Sequence, residues 1–447
     1  MAKLLLKNAT LVCPDRIIQS DLLTEDQRIV RIDRDISDDN AKILNCSDLL
    51  VLPGLIDDHV HFRDPGMPQK ATIYSESRAA VLGGVTSFLD MPNTIPPTLS
   101  DKALDDKLQK ASVESAANYG FYLGASGDNL EELKATDPNK YAAIKVFMGS
   151  TTGNLLVEDE KALIKIFTAA PVVYAVHCED TSIIDTNLKL ARQNYGDDIP
   201  FEMHPVIRNR DCCIKSSQKA LEIALGTGAR LHLMHVSTKE EVEMLRNYLF
   251  GNAKTRQISG EAALPHLFFS DCDYQHLGGF LKCNPAVKTE QDRLAIVKAV
   301  EEGVLTTIGT DHAPHELSKK QGNYLNCASG CTGVQYLLSA LLDLVKRGEL
   351  TLESVVKATS SNVADRFRIK DRGRIEEGVF ADLVAINPVM PHTVTADDIA
   401  SSCRWSPFAG HTFQSSVVHT IVSGQLAVKN GVLQENLKAM ALAFNHD

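Results

Sequence analysis

Along residues 1–51 apolar positions come in short runs, Leu4-Leu5-Leu6, Ile29-Val30-Arg31-Ile32 and Ala41-Lys42-Ile43-Leu44, each broken off by turn residues. Short apolar alternations bounded by Gly, Asn and Asp suit strands with one face on a core, so this stretch predicts a small antiparallel sheet. The texture returns near the other end, in Ala381-Asp382-Leu383-Val384-Ala385-Ile386 and Ser416-Val417-Val418-His419-Thr420-Ile421-Val422, punctuated by Gly424 and by Lys429-Asn430-Gly431.

Between these ends the rhythm changes. Apolar strand candidates at 52–62, 85–91, 120–125, 143–148, 172–177, 230–236, 257–262 and 304–309 alternate with helically spaced stretches at 75–82, 101–118, 161–169, 216–225, 239–249 and 290–301. Two more helices are predicted at 333–346 and 352–365 before the sheet texture resumes. Eight strands alternating with helices predict an α/β fold, a parallel (β/α)8 barrel of the TIM type. The simplest assembly sets the barrel, residues 52–372, in a small β-sandwich domain built from 1–51 and 373–447.

Composition narrows the function. A net charge of -11 argues against a phosphate-binding surface, and so against nucleic acid as a partner. The ten cysteines show no CxxC pairing, which fits reduced thiols in a cytoplasmic protein rather than a disulfide framework or zinc ribbon. No apolar run is long enough for a membrane span, and the N-terminus lacks a signal-type core. The expected partner is a small-molecule substrate, which, if anionic, needs local cations to hold it.

Catalytic groups in such a barrel sit at the carboxyl ends of the strands. There the chain places His59 and His61, Lys145, His177, His235 and Asp311. In His59-Val60-His61 the period-two alternation turns both imidazoles to one face, where they can share a metal. Alone, such a pair is as compatible with an ordinary strand; the other three strand-end groups make it a metal hypothesis. Lys145, in Ile144-Lys145-Val146-Phe147, has two readings. One is a salt-bridged structural lysine; the other is an amine neutralised by burial and converted by carbon dioxide to a carbamate, an anionic ligand able to bridge two ions. The second reading gives His59, His61 and Asp311 on one ion, His177 and His235 on the other, and the Lys145 carbamate and a hydroxide between. The donors suit zinc, two Zn2+ per chain, and leave manganese, cobalt and iron open.

Asp58-His59-Val60-His61-Phe62-Arg63-Asp64-Pro65-Gly66, Met91-Pro92-Asn93-Thr94 and Gly309-Thr310-Asp311-His312-Ala313-Pro314-His315 together resemble the cyclic amidohydrolases, most of all the class I dihydroorotases, over nearly the whole chain. The Lys145 motif is similar to the lysine-bearing subgroup shared with hydantoinases and allantoinases. The resemblance implies reversible cyclisation of N-carbamoyl-L-aspartate to L-dihydroorotate in pyrimidine biosynthesis, and a homodimer. It also implies that Arg63, Asn93 and His315 hold the substrate's free carboxylate and that Asn284 binds substrate. Each of these four also has a bland reading: a surface ion pair, a turn beside Pro92, a packed or capping ring, and an extended residue before Pro285. Asp311 is expected to act as general base and then acid. Thr151 and Thr152, in the small, polar 149–154 segment, are expected in a lid or an ordinary loop. His312, Glu179, Arg208, His204 and His266 are read as structural or supporting. The rivals are an allantoinase or hydantoinase, whose substrates lack the carboxylate Arg63 would hold, and a non-catalytic structural relative, which would have lost ligands.

Overall fold

The computed structural model describes residues 3–149, 155–251 and 257–446. The parallel strands form two hydrogen-bonded groups. Leu55–Val60 pairs with Val85–Asp90, which pairs with Asn118–Phe121. After Tyr122 the chain resumes as Leu123–Gly124, the edge of a six-stranded parallel sheet that continues through Ile144–Met148, Val173–Cys178, Arg230–Leu233, Ile258–Ala263 and Thr307–Gly309. The last of these returns beside the first: Val60 bridges His312 in parallel, and the His61 N–H donates to His312 O at 2.8 Å. Nearly every residue of these strands is buried, as expected for parallel strands covered on both faces.

Helices between the strands start at side-chain caps that satisfy otherwise orphaned N–H groups. Thr72 caps Ile73–Leu82, Ser100 caps Asp101–Glu114, Asn209 caps Arg210–Thr227 and Thr289 caps Glu290–Glu301. The helix Thr181–Tyr195, which buries Ile184 and Ala191 with Ile183 and Leu188 partly buried beside them, was not among the predicted helices. The predicted 352–365 helix is three pieces, Leu352–Val356, a π-helical turn Lys357–Ser361, and Asn362–Phe367.

The two chain ends meet in one nine-stranded sheet. Its order is Val432–Leu433, Gln425–Lys429, Ser416–Val422, Leu383–Asn387, Leu50–Pro53, Lys3–Val12, Ile17–Glu25 and Arg28–Asp33, with Lys42–Asn45 also paired to Lys3–Val12. The strands thus hydrogen-bond as one sheet, where two stacked sheets of a sandwich were expected, and it is mixed, not purely antiparallel. Lys3–Val12 runs parallel to both Lys42–Asn45 and Leu50–Pro53. The crossing that allows this is pinned by Asp21, which accepts from the N–H groups of Asn8 and Ile36. The predicted strand at 52–62 is likewise two elements. Gly54 divides it, because a Cβ there would lie 2.3 Å from the Thr86 side chain. Residues up to Pro53 belong to the terminal sheet and those from Leu55 to the parallel one.

Not all of the C-terminal segment stays with that sheet. Trp405 Nε1 donates to His315 O at 2.7 Å, and Tyr119 pairs with Met440 and Leu442 through its main chain. Trp405 thus backs the loop that carries His315, while residues 440–442 lie along the start of the Asn118–Phe121 strand. Among the described residues no helix is long and apolar enough to cross a membrane.

Candidate active site and metal centre

The carboxyl ends of the parallel strands open onto a cavity of about 370 Å³. Its walls include His59, His61, Arg63, Asn93, Lys145, His177, His235, Asn284, Asp311 and His315. Residues from different strands converge because the parallel strands all run towards this face. Thr151 and Thr152 lie outside the described residues.

Three wall residues adopt backbone conformations that side chains other than glycine rarely take. Arg63, His235 and Asp311 have φ of 65°, 35° and 49°. His235 and Asp311 follow closely on strands ending at Leu233 and Gly309. Left-handed backbone at such points carries a cost of about 1–3 kcal/mol each, which the packed surroundings must impose. Gly309 itself permits the close approach: a Cβ there would sit 2.7 Å from Asp58 Oδ1 and 2.9 Å from His59 Cβ.

Three of the four histidines, His59, His61 and His177, are oriented by a side-chain partner. His59 Nδ1 is 3.0 Å from Glu261 Oε1, and His61 Nδ1 is 2.7 Å from Asn93 Oδ1. Both rings then aim Nε2 at one oxygen: Asp311 Oδ1 lies 3.3 Å from His59 Nε2 and 3.1 Å from His61 Nε2. On the other side His177 Nε2 is 2.9 Å from Glu179 Oε2, a carboxylate also bound by Arg208. His177 Nδ1 and His235 Nε2 converge to 2.8 Å. Fixing one ring nitrogen sets the tautomer and frees the other for a metal. Asn93, expected at the substrate carboxylate, lines the cavity, and its carbonyl oxygen also orients His61. Glu261, on the Ile258–Ala263 strand, is not among the candidates that the sequence singles out.

Electrostatics favour unprotonated ligands. Burial pushes His59 down to about 3 and His61 to about 4, against the pull of Asp311. Burial works to raise Asp311, but the His59 and His61 rings, with Lys145, outweigh it and hold the carboxylate ionised well below its usual range. Lys145 is fully buried, its Nζ has no hydrogen-bond partner, and burial lowers it to about 8. An amine of low basicity beside a ring of neutral imidazoles fits carbamate formation better than a structural salt bridge, and among the described residues Lys145 forms no such bridge. The donor set therefore fits two divalent ions: His59, His61 and Asp311 cluster as one group, and His177 and His235 face it across Lys145.

Beside Asp311 the wall is cationic. Arg63 is buried, its Nε donates to Pro314 O at 3.2 Å, and its Nη2 is 3.2 Å from His315 Nε2. His315 Nε2 is also 3.0 Å from Ser329 O. Lys70, not singled out in the sequence, lines the same cavity, as do Ala328, Ser329 and Gly330. Gly330, at φ 147°, is needed here, because a Cβ would fall 2.4 Å from Ala313 O.

The chain is similar to known proteins. Residues 50–427 match the model of the amidohydrolase family. A dihydroorotase from Halobacterium salinarum is 34% identical over 82% of this chain and 83% of its own. An allantoinase from Desulfitobacterium hafniense is 28% identical over 96% of both chains. In structure, the L-hydantoinase (dihydropyrimidinase) of Arthrobacter aurescens superposes with a TM-score of 0.94 at 25% identity, covering 99% of this chain and 100% of that one. With more than half its length matched, the chain belongs to the amidohydrolase family.

Proposed function

We propose that the protein is a dihydroorotase, interconverting N-carbamoyl-L-aspartate and L-dihydroorotate. The eight parallel strands are read as one closed barrel, with a small β domain from both chain ends meeting it near residues 51 and 373. The observation that carries the substrate reading is Arg63: a buried guanidinium, backed by His315, on the cavity wall beside Asp311. A guanidinium presents a planar fork that matches a carboxylate, and a ring substrate bearing one gives that buried charge its counterion. The 34% identity to a dihydroorotase points the same way.

Two divalent cations, zinc by donor type, held by His59, His61 and Asp311 and by His177 and His235 with carbamoylated Lys145, would supply Lewis acidity and a water of near-neutral pKa. The residues do the rest. Arg63 and His315 fix the free carboxylate, so that the ring carbonyl faces the histidines, and Asn284 adds a polar contact on the same wall. Asp311, ionised in the resting site, accepts the proton of the attacking water. It then passes that proton to the ring nitrogen as the C–N bond breaks, one carboxylate serving as base and then acid. In the closing direction a carboxylate and a proton are consumed and water is released, so acid favours the ring.

An allantoinase is the second reading, supported by the 28% identical relative that spans 96% of the chain. The rivals part on one experiment: turnover of L-dihydroorotate, allantoin and hydantoin by the purified protein, with bound metal counted per chain. Dihydroorotate is expected to be the preferred substrate. Turnover of allantoin or hydantoin without dihydroorotate would reject the assignment.

A further inference from the structure

Lys70 brings a second basic side chain to the wall that Arg63 occupies. After Arg63-Asp64-Pro65-Gly66 the chain closes a turn through the Lys70 N–H to Met67 O at 2.9 Å, and the Lys70 carbonyl accepts from the Ser402 hydroxyl at 3.2 Å. Its main chain is therefore fixed on both sides, and its half-buried side chain lines the cavity with Arg63 and His315.

Lys145 apart, the buried lysines among the described residues have partners. Lys107 pairs with Asp90, Lys282 donates to the carbonyls of Tyr324 and Cys327, and Lys320 donates to three carbonyls, those of Lys282, Ala328 and Gly330. Among the described residues Lys70 Nζ has neither a hydrogen bond nor an ion pair. Burial and the neighbouring Arg63 push its pKa down, while Glu316 pulls it up. Two cations held beside each other at the edge of water repel, and the arrangement is relieved when an anion enters between them.

We propose that Lys70 is a substrate-binding residue which, with Arg63, holds the free carboxylate of the ring and so selects carboxylated rings over uncharged ones. Arg63 supplies the planar fork and Lys70 a point charge from the other side. The inference rests on the function proposed above, whose substrate carries that carboxylate.

The test uses the metal-loaded protein and the variants Lys70→Met and Lys70→Arg. L-Dihydroorotate is compared with 5,6-dihydrouracil, the same ring without the carboxylate, followed as substrate or competitor. Lys70→Met is expected to raise KM for dihydroorotate at least tenfold with kcat within about threefold, to leave the dihydrouracil constants unchanged, and to be largely rescued by arginine. An unchanged KM for dihydroorotate, or equal losses on both rings, would overturn the proposal. If the unmodified protein turns over no dihydroorotate, the functional reading fails by itself. Lys70 is then judged by calorimetric binding of N-carbamoyl-L-aspartate: tenfold weaker binding to Lys70→Met upholds its role, and equal or undetectable binding to both proteins ends it.

Discussion

Glu261 Oε1 lies 3.0 Å from His59 Nδ1 and accepts the main-chain N–H of His235 at the same distance. One buried carboxylate oxygen thus ties together a histidine from each of the two groups of candidate ligands. It fixes the tautomer of one ring and the backbone that carries the other.

Removing that oxygen is expected to loosen both groups. Glu261→Ala should lower metal affinity or activity by about 10–100-fold, the usual cost of losing a hydrogen bond that orients a ligand. Glu261→Gln retains an acceptor oxygen and should lose less. Metal per chain after titration with a chelator, together with kcat, measures both; full metal retention in Glu261→Ala would show that Glu261 has no such role.

Lys145 gives a sharper expectation. Its unpartnered, buried amine fits a carbamate, and arginine cannot form one because its guanidinium stays protonated. Lys145→Arg should bind at most one ion where the unmodified protein binds two, and lose at least about 100-fold in kcat. Protein stripped of metal in acid should recover fully only when bicarbonate accompanies the metal. Recovery with metal alone in carbon-dioxide-free buffer would argue for an unmodified lysine.

These two residues illustrate what the sequence does and does not reveal. Lys145 and the histidines were legible because apolar barrel strands and their ends are predictable places, and because metal-ligating residue types there are conspicuous. Glu261 sits at an equally predictable place, yet a single carboxylate in Ile258-Ser259-Gly260-Glu261 carries no spacing signal, and only its distance to His59 gives it a role. Lys70 is likewise invisible as a lone basic residue in a loop. The eight-strand alternation was legible because buried parallel strands are continuously apolar. The parallel pairing of Lys3–Val12 with Lys42–Asn45 was not, since nothing in either strand records that the chain crosses over between them.

Acid should destabilise the fold through buried histidines that are not themselves candidate ligands. Burial lowers His266 from 6.5 to about 4, and also sets His204 and His232 well below their ordinary value. In the unfolded chain all three protonate near the ordinary value, so between there and the lowered pKa the unfolded state binds more protons. Their stabilisation is complete above about pH 6.5 and is lost as pH falls towards 4, by on the order of 3 kcal/mol for His266 alone. Urea denaturation at pH 7.5, 6 and 5 should show a falling midpoint, and a His266→Gln variant a shallower fall. A midpoint that rises in acid would contradict the sign.

Asp311 separates holding from proton transfer. Its Oδ1 is the point on which His59 and His61 converge, so the side chain is placed both to ligate and to accept a proton. Asn at this position keeps the shape and one oxygen but loses the charge and the ability to take a proton. Asp311→Asn should therefore retain most of its metal and its thermal midpoint while kcat falls by about 10²–10⁴-fold, the range expected for loss of general acid–base assistance. Asp311→Ala removes the oxygen as well and should lose metal with activity. Metal content alongside turnover in the two variants reads the difference. Turnover in Asp311→Asn equal to that of the unmodified protein would remove Asp311 from the proton path and leave it a ligand alone.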